Sequence, residues 1–277
     1  MTAKALCWGN YEKAGNMELY LICEDSLEGI FTGIYEAYLT KRPHEELHIQ
    51  VGDEENLRLF AEYQYITADP IKAAKVARTV GQKFGSEGYM SICRALASAD
   101  NSKGEAIYKM IVSGLLMKNP HELMGNLSDP HVMKVFELAR FSGNEAHFLI
   151  EFIRFRELDN GILYARTGPK NNVLTFVMPH FADRLPMENF VIHDEIRGLY
   201  GLHPVQKDWF VVTEAEGFAF DPADHAFSPG EIHYSELFTA FFHIIAIEDR
   251  KNLKLQRNML PLRYREYMTE FTTASQH

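Results

Sequence analysis

Hydrophobic positions near the start of the chain follow first the period of a strand and then that of a helix. Residues 17–23 predict a short strand. Asp25 and Ser26 can cap the helix that follows, because capping residues stand directly before the first apolar-periodic position. The apolar side chains at helical spacing are Leu27, Ile30, Phe31, Ile34, Tyr35 and Tyr38. The chain therefore opens with a strand–turn–helix unit.

The next part of the chain predicts two more strands and then a layer of helices. The strands lie near His48–Val51 and Tyr63–Thr67. Asp69 and Pro70 place a capping carboxylate before a proline at the first helical position, and Gly85 ends that helix. Further helices fit residues 86–98, 102–118 and 130–150.

Beyond residue 150 the pattern changes to short strands around a helix. The turn residues at 159–161 (Asp-Asn-Gly) join strands at Glu151–Leu158 and Ile162–Thr167 into a predicted hairpin. A helix capped by Asn171 or Asn172 then ends near residue 185. After it we expect a second hairpin, a fifth strand and an apolar helix, at residues 190–193 with 197–200, at 209–213 and at 235–249.

This order of elements predicts an α+β fold, with a helical layer and an antiparallel sheet of about five strands that carries a helix on one face. We expect a leader at residues 1–16, an N-terminal lobe at 17–125 and a C-terminal lobe at 126–277. One domain with two lobes and two separate domains are both consistent with this pattern. The composition of residues 119–129 is typical of a linker.

Charge is distributed unevenly along the chain. The net charge of -10 argues against a protein that coats nucleic acid without specificity. Residues 1–70 carry 13 acidic and 5 basic side chains, whereas residues 249–266 carry 6 basic and 2 acidic ones. An acidic front and a basic tail fit a protein with two kinds of partner, although an ordinary solvated surface is the commoner origin of such a pattern.

Cysteine spacing and hydropathy exclude several other classes. The 3 cysteines lie far apart and form no C-x-x-C pair, so cysteine alone builds neither a zinc site nor a cluster site. We therefore expect no cofactor in this chain. No apolar run reaches the roughly 18 residues that span a bilayer, and residues 1–10 lack the apolar stretch of a secretory signal. These features predict a cytoplasmic protein.

Residues 179–197 contain the densest set of reactive side chains. His180 and Asp183 are three apart on the predicted helix, so they can share a face. His193 and Asp194 end a predicted strand, where neighbouring side chains point to opposite faces and do not easily serve one site. The four residues are candidates for acid–base or metal chemistry, and hydrogen-bonded structural histidines are the alternative.

Basic residues supply candidate nucleic-acid contacts. Arg154 and Arg156 are two apart on a predicted strand and share a face, where either a phosphate or nearby carboxylates can separate them. Lys170 precedes a helix N-terminus, which can hold an anion. Tyr264 and Tyr267 lie in the basic tail and can stack on exposed bases, although a solvated helical end is equally consistent. The set is completed by Arg184, Arg250, Lys254, Arg257, Arg263 and Arg265.

Several short motifs resemble those of one family. They are D-x-L-E-G-I-F-T-x-I-Y-E-A-Y at 25–38, E-A-H at 145–147, F-x-R-F-R-E-L at 152–158, L-Y-A at 163–165, N-V-L at 172–174, P-H-F-A-D-R-L-P at 179–186, I-H-D at 192–194 and M-L-P-L-R-Y at 259–264. Through them the chain resembles a bacterial domain-of-unknown-function family whose description places it in DNA metabolism. The segment at 179–186 is the most specific, and none of these is a known catalytic motif.

The resemblance implies a functional setting rather than a reaction. Members of that family are encoded beside a radical SAM protein of DNA modification or repair, and similar domains are fused to uracil-DNA-glycosylase-like domains. An iron–sulfur cluster would then belong to the partner. This chain departs from a typical member in its longer leader at 1–16 and its longer loop at 214–230.

Three functions are consistent with these observations. An accessory protein of DNA metabolism would bind DNA or RNA through the basic residues and dock a radical SAM partner through its acidic front. An enzyme acting on nucleotides or nucleic acid would use the histidines and aspartates. A protein-interaction module would bind no nucleic acid. Convergence of the basic side chains on one cleft would favour the first function.

Overall fold

The structure is a computed structural model that describes residues 17–52, 58–214, 225–245 and 252–272. The described residues form two compact units. Unit 1 comprises residues 17–96 and 100–136, and unit 2 comprises residues 97–99 and 137–272. The leader predicted at residues 1–16 lies outside the described residues.

Unit 1 contains a three-stranded parallel sheet. Its central strand β1 (Glu18–Cys23) pairs with β2 (Leu47–Val51) on one side and with β3 (Ala61–Ile66) on the other. Helix α1 (Leu27–Leu39) links β1 to β2, because parallel neighbours need a crossover connection. The Ser26 hydroxyl accepts a hydrogen bond of 2.9 Å from a backbone N–H of α1. The predicted strand–turn–helix opening is therefore confirmed.

The helical layer begins where the capping signals predict. Helix α2 (Pro70–Leu96) starts after Asp69, whose carboxylate accepts a 2.9 Å hydrogen bond from the Ile71 N–H. Gly85 has φ 75° and interrupts α2, which confirms the predicted end of the first helical segment. Helix α3 (Lys103–Leu116) follows. Helix α4 (Pro130–Phe152) then continues from unit 1 into unit 2.

Unit 2 is built around a five-stranded sheet in the order β4-β5-β6-β7-β8. The α+β prediction is confirmed. The sheet is mostly antiparallel, but β5 and β6 are parallel because helix α5 returns the chain between them. The elements are β4 (Arg156–Glu157), β5 (Leu163–Thr167), α5 (Leu174–Arg184), β6 (Phe190–Asp194), β7 (Leu199–His203) and β8 (Phe210–Thr213).

The first strand of the first predicted hairpin is much shorter than expected. Of the strand predicted at Glu151–Leu158, the first two residues form the end of α4 and only Arg156 and Glu157 pair in the sheet as β4. Arg154 lies between α4 and β4. The prediction that Arg154 and Arg156 share a face of one strand is therefore wrong.

Each face of this sheet has its own apolar cluster. Helix α5 and the C-terminal end of α4 cover one face, where Phe181 of α5 meets Phe190 and Ile192 of β6. The opposite face carries a smaller cluster that includes Tyr164 and Tyr200. Side chains alternate between the two faces along each strand.

Among the described residues beyond the sheet there are four helices: α6 (Pro229–Ile244), α7 (Leu253–Met259), α8 (Leu262–Arg265) and α9 (Thr269–Thr272). Helix α6 begins earlier than predicted because the Ser228 hydroxyl accepts a 3.0 Å hydrogen bond from the Glu231 N–H. The predicted end of this helix at residue 249 lies outside the described residues. Within the described ranges, every helix is too short or too polar to cross a bilayer.

Candidate functional site

The four predicted acid–base residues do not come together. His180 and Asp183 are exposed on the outer side of α5. His193 lies on the sheet face that α5 does not cover, since its ring stacks on Tyr200 at a centroid distance of 4.2 Å. The sheet therefore separates the two candidates on α5 from His193.

His193 is held by aromatic neighbours. Its Nδ1 lies 2.9 Å from the Tyr164 hydroxyl, and its Nε2 is 3.9 Å from a carboxylate oxygen of Glu214. Burial lowers the pKa of His193, which favours the neutral imidazole. These contacts favour the structural alternative for this histidine.

Asp194 is buried on the other face, with its side chain 0% exposed. Its carboxylate accepts hydrogen bonds from the backbone N–H groups of Ile196 and Arg197 and from the Arg197 guanidinium at 3.2 Å. Burial raises the pKa of Asp194, and the neighbouring guanidinium opposes that shift. Asp194 thus orients Arg197. Across the described ranges, no three His, Cys, Asp or Glu side chains are grouped to hold a metal ion.

Arg197 in turn binds the loop that precedes α5. Its guanidinium donates to the carbonyl oxygens of Pro169 at 2.9 Å and of Lys170 at 2.5 Å. The loop at residues 168–171 is thereby fixed from the side of the β6–β7 turn.

Glu145 of α4 fixes the same loop from the other side. Its carboxylate, 3% exposed, accepts from the backbone N–H groups of Lys170 at 2.9 Å and Asn171 at 2.7 Å. The Asn171 side-chain amide donates to Glu145 at 2.6 Å and accepts from the Ala99 N–H. Asn171 therefore does not cap α5, and the helix begins after Val173 with no side-chain cap of its own.

The basic tail reaches this loop through α8. Arg263 pairs with Glu145 at 2.9 Å and donates to the Tyr264 hydroxyl at 2.6 Å. Burial raises the pKa of Tyr264, and the Glu145 carboxylate adds to that rise. A residue 118 positions away along the chain thus completes the buried network of Glu145.

A fourth cation lies at the start of the loop. Arg166 of β5 forms two hydrogen bonds with Glu195, at 2.6 and 3.1 Å, and the Glu195 N–H bonds to the Thr167 carbonyl. We define the loop cluster as the loop at residues 168–171 with its cations Arg166, Lys170, Arg197 and Arg263 and its carboxylates Glu145, Asp194 and Glu195.

The other predicted cations lie elsewhere, and two of them pair with carboxylates. Arg154 pairs with Glu270 at 3.0 Å. Arg156 pairs with Glu231 at 3.3 Å and lies 3.4 Å above the Phe227 ring. The Arg265 guanidinium lies 4.9 Å from the centre of a phenylalanine ring. Exposed side chains are found at Arg184, Lys254 and Arg257, and Arg250 lies outside the described residues.

Sequence reasoning missed Arg166, Arg197 and the buried Glu145 as parts of one site. Glu145 stands in the E-A-H motif, and Arg197 follows Asp194 by three positions, so weak signals existed. The sequence around Glu145 and Arg197 does not show that both residues bind the loop at 168–171, because only the tertiary fold places that loop between them.

The chain matches a known protein family. A family model described as a domain of unknown function, DUF4130, matches residues 101–270. The chain belongs to this family. The DUF4130 match includes every residue of the loop cluster, whereas the three-stranded sheet of unit 1 lies outside it. A comparison with curated proteins found no match.

Proposed function

We propose that this DUF4130 protein is an accessory protein of DNA metabolism that binds nucleic-acid phosphates at the loop cluster and works with a radical SAM partner. The observation that carries the binding role is that cations from the loop, the β6–β7 turn and α8 meet at one loop, with a further cation, Arg166, at the end of β5 directly before it. The family resemblance supports the setting in DNA metabolism and the radical SAM partner.

The cluster directs positive charge outward. The carboxylates of Glu145 and Asp194 are 3% and 0% exposed, whereas the guanidinium side chains of Arg166 and Arg263 are 55% and 45% exposed. The Lys170 side chain is exposed as well. Four cations against three carboxylates leave a net charge of +1, and the anions that compensate them lie mainly on the inner side.

The buried hydrogen bonds make the cluster suited to phosphates. Guanidinium groups recognise phosphate oxygens through paired N–H donors, and they bind best when their orientation is set beforehand. Arg197 and Arg263 are oriented by Asp194 and Glu145 before any ligand arrives. Of the nucleic-acid contacts that the sequence predicts, the proposal retains Lys170 and Arg263. It adds Arg166 and Arg197.

The test is binding of fluorescent single-stranded and duplex DNA, followed by anisotropy between about 50 and 200 mM salt. Lys170→Glu and Arg166→Glu change exposed side chains without removing a donor to Glu145. We expect each to weaken binding about 10-fold and to reduce the salt dependence by about one counterion per lost phosphate contact. Lys83→Glu reverses an exposed charge in unit 1 and serves as the matched control.

Two outcomes would contradict the proposal. One is an affinity that does not change with salt. The other is an equal loss in the Lys83→Glu control, because that would indicate attraction by overall charge rather than by the loop cluster. Repeating the measurement with the radical SAM protein present tests the partner: its addition should tighten DNA binding by wild type more than by Lys170→Glu.

A further inference from the structure

Helix α6 turns a polar face toward its own unit. Glu231 accepts hydrogen bonds from Arg156 at 3.3 Å and from the Glu157 N–H at 3.2 Å. Ser235 is buried and donates to Glu231 at 2.6 Å. Phe242 adds one aromatic contact, 5.7 Å from the ring of Phe271 in α9. The inner side of α6 is thus held mainly by hydrogen bonds and an ion pair.

The outer side of the same helix is apolar. Five side chains of α6, with Ile245 directly after the helix, form what we call the outer stripe: Tyr234 is 70% exposed, Leu237 50%, Phe238 43%, Phe241 58%, Ile244 80% and Ile245 54%. They recur at intervals of three and four residues, as in the contact seam between packed helices. An amphipathic helix normally has the reverse orientation, with its apolar stripe toward the core.

The area of the outer stripe exceeds what a monomer usually leaves in water. Side chains of this size present about 200 Å² each when fully exposed, so the stripe offers on the order of 700 Å² of apolar surface. Contiguous apolar patches above a few hundred Å² mark interaction sites. A standard protein–protein interface buries about 800 Å² on each partner, which is close to the area of the stripe.

We infer that the outer stripe is the dimer interface of this protein, and that its occupant is α6 of a second copy. The stripe contains no charged residue, so it needs no partner of opposite charge and is complementary to itself. A two-fold axis across α6 sets the two helices antiparallel, which opposes their dipoles.

Sedimentation equilibrium of the purified full chain tests this inference. We expect a particle of twice the chain mass of 31.8 kDa. Phe241→Glu and Leu237→Glu place a carboxylate in the interface and should each raise the dimer dissociation constant at least about 100-fold, as expected for central interface positions. Leu116→Glu makes the same kind of change at a side chain that is 82% exposed in unit 1, and should leave the dimer intact.

Helical content measured by circular dichroism shows whether each variant is folded. A wild-type protein that remains monomeric at about 100 µM overturns the inference, because a 700 Å² apolar contact should hold at that concentration. A dimer that resists both stripe variants overturns it too. So does a monomer that forms a heterodimer only when the radical SAM partner is added. DNA binding by Phe241→Glu should persist, since the loop cluster is separate from the stripe.

Discussion

Helices α5 and α6 belong to the same unit and have opposite orientations. In α5 the side chains of Val177, Met178 and Phe181 are buried against the sheet, while its polar residues face outward. In α6 the polar side chains of Glu231 and Ser235 face inward, and the apolar stripe is exposed. Helical periodicity therefore identifies an apolar face but does not show whether that face meets its own core or another surface.

The difference follows from how each helix is connected. Helix α5 joins two parallel strands, so the crossover places it directly on the sheet, and its apolar side chains fill the space beneath it. Helix α6 contacts β4, where the Arg156 guanidinium needs an anionic partner and the Glu157 N–H needs a hydrogen-bond acceptor. Glu231 meets both requirements, and this contact orients the polar side of α6 inward.

The largest expected effect on the free energy of unfolding comes from replacing a phenylalanine by alanine on each of the two helices. Phe181→Ala should lower the free energy of unfolding by about 3–5 kcal/mol, because it leaves a cavity under α5. Phe241→Ala should change it by less than about 0.5 kcal/mol in the monomer. Urea unfolding at the lowest usable protein concentration measures both, so that association does not contribute. Equal losses would mean that α6 is as buried as α5.

An intermediate effect concerns the loop that anchors α5. Glu145→Gln removes the charge that faces Arg263 within a buried network and should lower the free energy of unfolding by about 2–3 kcal/mol. Glu195→Gln makes the same change in the exposed pair with Arg166 and should lower it by less than about 1 kcal/mol. Urea unfolding of the two variants side by side measures the difference. A similar loss in both would show that Glu145 is not buried.

The smallest effect tests the orientation of α6. Ser235→Ala removes a buried hydroxyl that donates to Glu231 and should lower the free energy of unfolding by about 1 kcal/mol. If the helix were reversed, with Ser235 in solvent, alanine would instead stabilise it by a few tenths of a kcal/mol through its helix propensity. The sign of the change in urea unfolding therefore distinguishes the two orientations. Alanine at exposed Glu236 provides the matched solvent-side reference.

Local signals in the sequence predicted most of the elements but only fragments of the site. Capping residues located the starts of α1 and α2, and alternation located the β6–β7 hairpin. The same reasoning extended the first strand of the sheet back into α4, because an apolar run near a turn fits either element. It found Lys170 and Arg263 as cations, yet it could not show that the backbone N–H of Lys170 and the guanidinium of Arg263 share the Glu145 carboxylate.

By itself the sequence determined the α+β class, most of the element order from β1 to α6 and the likeness to a family of unknown function, because these depend on periodicity, capping and motifs within short windows. The tertiary structure decided the parallel pairing of β5 with β6, the pairing of Arg154 with Glu270, the assembly of the loop cluster and the outward apolar face of α6. The physical reason is separation along the chain. Arg154 and Glu270 are 116 residues apart, and only the packing of the whole unit determines which distant charges become neighbours.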